Sequence, residues 1–459
     1  MALTEKSKRC MGYVESRECG KNKRSEVPRR SHAQWIAPAD RKDPVALLKE
    51  QSKSRLQKLV PLRYERMGVS PFTFYRGSAL VMASDLATTP TTGFRVQACG
   101  DAHIANFGAF ASPERRLVFD INDFDETLPA PWEWDIKRLA ASVEICGRDR
   151  GFKKRDRQIA VTATVESYRQ AMLSFAEMSH LEVWYAHLDV ENELAALANR
   201  MNKKRGKAVR KEIDKAYAKN NARALEKLTE VVGGELKIVS NPPLIVPIAE
   251  FMPQIEAQAL EDSIKKLFDE YRQSLMPDRR YLVDEFTYVD SAQKVVGVGS
   301  VGTRAWILVM AGRDETDPLV LQLKEAQPSV LEQFAGKSIY KNSGRRVVEG
   351  QHLMQASSDV LLGWTHSSDA LGVERDYYIR QLWDWKSSID LETIDEESLA
   401  ITGRMCGWTL ARAHARSGNR FALAGYLGTS DVFEQALVAF ASSYADQNEQ
   451  DYQAFIASL

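Results

Sequence analysis

Hydrophobic positions recur at helical spacing over residues 44–60 and from Trp134 to about Glu230, where Asp135, Ile136, Leu139, Ala140 and Val143 open the pattern. Phe72 to Ala87 mixes aromatics with a further helical stretch, while Phe94 to Cys99 and Leu117 to Ile121 are short strand-like runs flanking a glycine-bearing loop. Asn202 to Lys227 is so highly charged that a solvated helical hairpin is expected, followed by an extended Leu236 to Ile248 and a helix at about 255–275. The period then changes. Between Tyr281 and Leu323 the runs YLVDEFTYVD, KVVGVGS, AWILVMAG and PLVLQLK alternate with turn residues, which predicts a small antiparallel sheet. One helix (343–357), two strand-like runs (Val360 to Trp364, Tyr377 to Leu382) and helices from Glu396 onward complete the chain. This order gives four segments: a basic tail over 1–43, a mostly helical part over 44–280, a five-strand module over 281–388, and helices over 389–459.

Composition narrows the classes. At 459 residues with 44% hydrophobic and 27% charged positions, the chain can bury several cores and is not mainly disordered. The 62 basic residues balance the 62 acidic ones, which argues against a nucleic-acid coat or a membrane-surface protein. The longest apolar candidate, Val295 to Gly312, is interrupted by Arg304, and the polar first ten residues lack a signal-peptide core. Five scattered cysteines (10, 19, 99, 146, 406) without a C-x-x-C pair make a reducing cytoplasm the default. Nine basic residues against four glutamates in the first thirty predict a solvated tail.

Two clusters carry chemistry. Gly100-Asp101-Ala102-His103-Ile104-Ala105-Asn106 sets Asp101 and Asn106 at the D-x-x-x-x-N spacing of phosphotransferases. A carboxylate at the loop start can take or orient an acceptor hydroxyl's proton, and an amide oxygen five residues on can turn back to Mg²⁺. Asp123-Phe124-Asp125 follows, with Asp123 the expected second Mg²⁺ ligand and Asp120 a competing choice. The second cluster is Gly297-Val298-Gly299-Ser300-Val301-Gly302, a G-x-G-x-x-G whose following residues are strand-like, so a strand–loop–strand phosphate cover fits better than a dinucleotide-binding turn. Leu321-Gln322-Leu323-Lys324 then places a lysine at a strand end, where it would pair the α- and β-phosphates of ATP; Glu349, or failing that Glu332, is expected to pair it.

These residues resemble the protein-kinase-like superfamily, nearest its aminoglycoside- and choline-kinase-type branch. The G-D-x-H-x-x-N loop, Asp123-Phe124-Asp125 and the helix start Trp134-Asp135-Ile136-Lys137-Arg138-Leu139-Ala140 carry that likeness. Further stretches, among them Phe74-Tyr75-Arg76-Gly77, Pro131-Trp132-Glu133-Trp134-Asp135 and Ala411-Arg412-Ala413-His414-Ala415-Arg416, are similar to an uncharacterised bacterial family from about residue 45 onward. The resemblance implies an α+β, two-lobe kinase-like fold. Because the glycine loop and its lysine follow the catalytic loop instead of preceding it, the resemblance also implies circular permutation, with an ATP lobe inserted between segments of a mostly helical lobe. The helix Gly403 to Arg416 would then pack beside the catalytic loop, and Tyr377 to Leu382 would be the linker offering backbone groups to adenine.

The expected activity is phosphoryl transfer from ATP, with Mg²⁺, to a small-molecule or protein hydroxyl, without nucleic-acid or membrane partners. A nucleotide-binding pseudokinase and a nucleotidyltransferase are the alternatives. A metallophosphoesterase would need clustered histidines, and the seven present are dispersed. His103 reads as a loop hydrogen-bonding residue, Asp135 as a cap for loop amides, and Trp132, Trp134, Trp383 and Trp385 as core. Arg76 could reach a phosphate or pair an acidic residue.

Overall fold

The computed structural model describes residues 12–190, 214, 217, 221–232, 235–251, 257–295, 297–314, 317–368, 373–382, 385 and 387–459. It is a mixed α+β structure with antiparallel sheets.

The basic N-terminal stretch is not a tail from Tyr13 onward. Helix α1 (Tyr13–Glu26) buries Ser16 and Gly20, and Arg24 and Arg29 donate to the carbonyls of Gly425, Tyr426 and Leu427 at the end of a later helix. Cations at a helix C-terminus satisfy its unpaired carbonyls, so these two arginines are spent on docking. His32 and Trp35 continue into the core.

Helix α2 (Pro71–Gly77) starts at a Ser70 cap. Strand β1 (Arg95–Ala98) later pairs with β4 (Leu128–Pro131), and between them lies the hairpin β2 (Phe107–Ala111) and β3 (Leu117–Ile121). β2 is a strand that the hydrophobic pattern does not announce. Helices α3 (Trp132–Asp149) and α4 (Lys154–Glu177) follow. Most of the charged region expected as a helical hairpin lies outside the described residues; Asn221–Leu228 within it is helical.

Helix α5 (Ala257–Ser274) leads into a six-stranded sheet: β5 (Ile245–Pro247), β6 (Thr287–Lys294), β7 (Ala305–Ala311), β8 (Pro318–Ala326), β9 (Gly363–Ser368) and β10 (Glu374–Gln381), in the order β9-β10-β8-β7-β6-β5. Two expectations change. Residues 277–284 form a helix, entered through Pro277 at its first position, so only the second half of YLVDEFTYVD is strand. And β10 is an inner strand paired with β8 over residues 376–381 and with β9 over residues 374–379, so the backbone of Tyr377–Ile379, the first part of the expected linker, is consumed by the ladder. Helix α6 (Ser343–Met354) crosses from β8 to β9.

Side-chain alternation gives the sheet two faces. Leu319, Leu321, Leu323, Tyr377 and Ile379 pack with Tyr271 and Leu275 at the end of α5. By the same alternation, Gln322, Lys324, Tyr378 and Arg380 belong to the opposite face, and the last three lie at the β2–β3 hairpin's acidic end. Helices α7 (Glu396–Ser417), α8 (Arg420–Leu427) and α9 (Val432–Ala457) close the chain. Their apolar residues join those of α3 and α4 in the largest core cluster, with Trp132 and Trp134 inside it. Trp385 packs at its edge beneath Arg115, and Trp383 lies outside the described residues.

Candidate functional site

The register of one small hairpin assembles the acidic end of the site. Phe107 pairs with Ile121, and Asn122 N–H donates to the Asn106 carbonyl at 2.8 Å, so the residues before β2 meet those after β3. The loop ahead of β2 is held from α3. Asp135, in the first turn, accepts from Cys99 N–H at 2.6 Å and Gly100 N–H at 2.9 Å, and His414 of α7 lies 3.2 Å away. Asp135 is thus the amide cap expected of it, and α7 packs beside this loop. Gly100 adopts φ +81°, and a Cβ there would strike the Glu126 carbonyl, so both backbone and space demand glycine.

Arg138, one turn after Asp135 on the same face of α3, places Nε 2.5 Å from Asp101 Oδ1 and packs over the Tyr75 ring. Burial raises the Asp101 carboxyl above its ordinary value, with Arg138 pulling it partly back. The Asn106 amide N–H₂ donates to the Asp101 carbonyl at 2.8 Å, which leaves its Oδ1 without a partner among the described residues. Asp123 Oδ1 accepts from Asp125 N–H at 3.1 Å; burial and the neighbouring Asp125 raise its carboxyl.

Lys324 is buried, and its ammonium contacts Asp125 and lies 3.8 Å from Asp123. Tyr378, its partner across the β8–β10 ladder, donates to Asp125 at 2.9 Å. Burial alone would raise Asp125, but Lys324 and Tyr378 outweigh it and the carboxyl sits below its usual range. The expected glutamate partners are elsewhere. Glu349 meets Arg345 at the surface, 3.3 Å away, and Glu332 meets Lys337 at 3.5 Å. The buried residue that α6 sends toward the site is Arg346, whose guanidinium donates to the carbonyls of Asp125, Thr127 and Gln327. Asp120 is no ligand choice: it is buried and occupied by Arg412 and by the N–H groups of Ile121 and Ala356.

The glycine loop joins β6 to β7 and is pinned to the N-terminal segment. Arg66 donates to the Gly297 carbonyl at 2.6 Å, Arg55 to that of Val301 at 2.7 Å, and Leu56 N–H to that of Gly302 at 2.8 Å. Gly297 and Gly302 take φ of +66° and +90°. One cavity of about 350 Å³ is bounded by Gly297, Gly299 and Ser300 on this side and by Asp101, Asn106, Asp123 and Asp125 on the other. Gly302 faces Arg55 instead, and Lys324 lies behind Asp125 rather than on the wall.

Three residues in or behind the cavity wall carry no role from the sequence alone: Asp125 and Glu126 line it, and Arg138 stands behind Asp101. Arg138 could have been found from its spacing to Asp135. Asp125 was read only as part of its motif. Glu126 offers one oxygen to Val330 N–H at 2.7 Å, and burial raises its carboxyl to about 7.

The chain matches the profile of a bacterial family described as "Uncharacterized protein conserved in bacteria (DUF2252)" over residues 55–458. It belongs to that family. No curated protein and no solved structure matches the chain. For this DUF2252 member, among the described residues no helix is long and apolar enough to cross a membrane, and no three His, Cys, Asp or Glu side chains are grouped to hold a metal by themselves.

Proposed function

We propose that this chain is an ATP- and Mg²⁺-dependent phosphotransferase acting on a hydroxyl acceptor, on a kinase-like two-lobe plan with its segments in permuted order. The observation that carries the reading is the single cavity bounded by the glycine loop and by Asp101, Asn106 and Asp123, which come from opposite halves of the chain. Supporting it, the glycine loop links the first two strands of the meander β6-β7-β8, and Lys324 lies two residues before the end of the third, which helix α6 follows.

The donor set suits Mg²⁺. Asn106 Oδ1 and Asp123 supply hard oxygens, too few for a cage of protein atoms alone but adequate for an ion that also keeps waters and phosphate oxygens. Bound there, the ion would neutralise phosphate charge. Asp101, oriented by Arg138, would accept the acceptor hydroxyl's proton as its oxygen bonds to the terminal phosphorus and the bridging P–O bond to ADP breaks. Lys324 would turn its charge toward the α- and β-phosphates, beneath the amides of Gly297–Ser300.

Isothermal titration with Mg²⁺ and ATP, followed by turnover assays over a panel of hydroxyl acceptors, tests the reading. Asp123→Ala and Lys324→Ala should abolish turnover. The reading is overturned by a wild-type protein that binds no Mg²⁺-ATP, or by both variants consuming ATP at the wild-type rate. One observation favours binding without transfer: Lys324 lacks a glutamate partner on α6. Saturable ATP binding with neither phosphoryl nor nucleotidyl product would select that pseudokinase reading.

A further inference from the structure

Arg76, in the last turn of helix α2, lines the cavity with Asp101, yet its guanidinium makes no hydrogen bond or ion pair with any described residue; its Nε is buried without a hydrogen-bond partner. Arg76 is half-buried, and only the charges of Asp101 and Glu392 act on it, so its guanidinium is a cation on the cavity wall with its hydrogen-bond donors uncommitted. The other arginines around the site are engaged: Arg138 with Asp101, Arg346 with three carbonyls, Arg55 with Val301, and Arg304 and Arg375 with Glu325. His103 stands on the same wall, 3% exposed and with Nδ1 also unpartnered. Burial, with Arg138 and Arg76 nearby, keeps its imidazole neutral, so it can donate one N–H.

The position of Arg76 says which anion it awaits. Its backbone carbonyl lies against Gly299, where a Cβ would come within 3.1 Å, so it sits directly under the glycine loop. Its side chain lines the cavity together with Asp101 and His103, whereas Lys324 stands behind Asp125 and off the wall. A triphosphate running from Lys324 toward an acceptor at Asp101 would therefore set its last phosphate at Arg76.

We infer that Arg76, with His103 beside it, is the binding site for the terminal phosphate of the nucleotide. This assignment rests on the nucleotide-binding reading above. Charge-assisted hydrogen bonds to a phosphate suit a guanidinium and discriminate triphosphate from diphosphate.

The experiment is calorimetric titration of the full-length protein with the β,γ-imido analogue of ATP and, separately, with ADP, each with Mg²⁺. Arg76→Ala should weaken analogue binding roughly tenfold to a hundredfold while leaving ADP affinity unchanged. Arg76→Lys should recover part of the loss. Should alanine prevent folding, Arg76→Gln takes its place with the same expectation. Equal loss for both nucleotides, or no loss for either, overturns the assignment while leaving nucleotide binding standing; the second result moves Arg76 to an anionic group on the acceptor. Failure of the wild-type protein to bind either nucleotide removes the nucleotide reading and this assignment together.

Discussion

The Lys324 ammonium lies 3.8 Å from the Asp123 carboxylate and in contact with that of Asp125, although the lysine stands on strand β8 and the aspartates on the loop after the β2–β3 hairpin of another sheet. This ion pair joins the sheet carrying the glycine loop to the hairpin carrying the acidic loop. It is buried on the lysine side, and removing the lysine leaves two neighbouring carboxylates without their main counter-charge.

Lys324→Ala should therefore lower stability as well as function. We expect a loss of about 2–4 kcal/mol in urea denaturation without nucleotide, below the full cost of breaking a buried pair because Asp125 is partly exposed. Asp125→Asn on that background should return part of it, since the amide no longer needs the cation. A double variant no more stable than Lys324→Ala alone would show that the pair does not hold the two sheets together.

Arg346 and Glu349 lie on one helix, three residues apart, and have opposite fates. Arg346, 2% exposed, donates to carbonyls of the acidic loop and of the segment after β8. Truncating it orphans one buried and two partly buried acceptors, so Arg346→Ala should cost about 2–4 kcal/mol. Glu349 makes one exposed i,i+4 pair with Arg345, and Glu349→Ala should stay within about 0.5 kcal/mol. Thermal melts of both variants decide this. A Glu349→Ala loss as large as that of Arg346→Ala would return the glutamate to the site.

That contrast marks what the sequence could and could not convey. The loop Asp101–Asn106, the run Asp123–Asp125, the glycine loop and Lys324 were legible because each has a local spacing with a chemical reason. Helix α7 beside the Asp101–Asn106 loop was legible by resemblance; its Arg412 reaches Asp120 and its His414 reaches Asp135, which holds the start of that loop. Partner choice was not legible. Which carboxylate Lys324 meets depends on how two sheets face each other, and no spacing along α6 encodes that. The first half of YLVDEFTYVD alternates like a strand, but Pro277 pre-sets a helical start and the segment follows it. Arg24 and Arg29 read as part of a solvated tail because their partners, the carbonyls of Gly425 to Leu427, lie at the other end of the chain.

Asp120 and Arg412 form a pair in which both side chains are almost fully buried, at 2% and 1% exposure. Arg412→Ala should cost about 3–5 kcal/mol by stranding the carboxylate. Asp120→Asn, which keeps the shape and part of the hydrogen bonding, should cost less and leave Mg²⁺-dependent nucleotide affinity unchanged. Calorimetry on Asp120→Asn settles the second point: a drop in Mg²⁺ dependence would make Asp120 a metal ligand after all.

Glu126 gives the protein a pH response near neutrality. Its carboxyl titrates at about 7 when folded, chiefly because of burial, against an ordinary value near 4.5. Between those two values the folded state binds more protons than the unfolded one. Stability from this group is therefore greatest below about pH 4.5, declines as pH rises through the interval, and levels off above 7. The Val330 N–H bond favours the charged form and moderates the effect. Because the side chain is also partly open to the cavity, the span should be on the order of 1–2 kcal/mol rather than the full value of the shift. Glu126→Gln keeps an oxygen for Val330 and cannot ionise. Urea denaturation of wild type and Glu126→Gln at pH 5, 6, 7 and 8 should give curves that diverge as pH rises, with the variant gaining relative to wild type by about that amount. Parallel curves would mean that Glu126 titrates at its ordinary value and is already charged throughout the range.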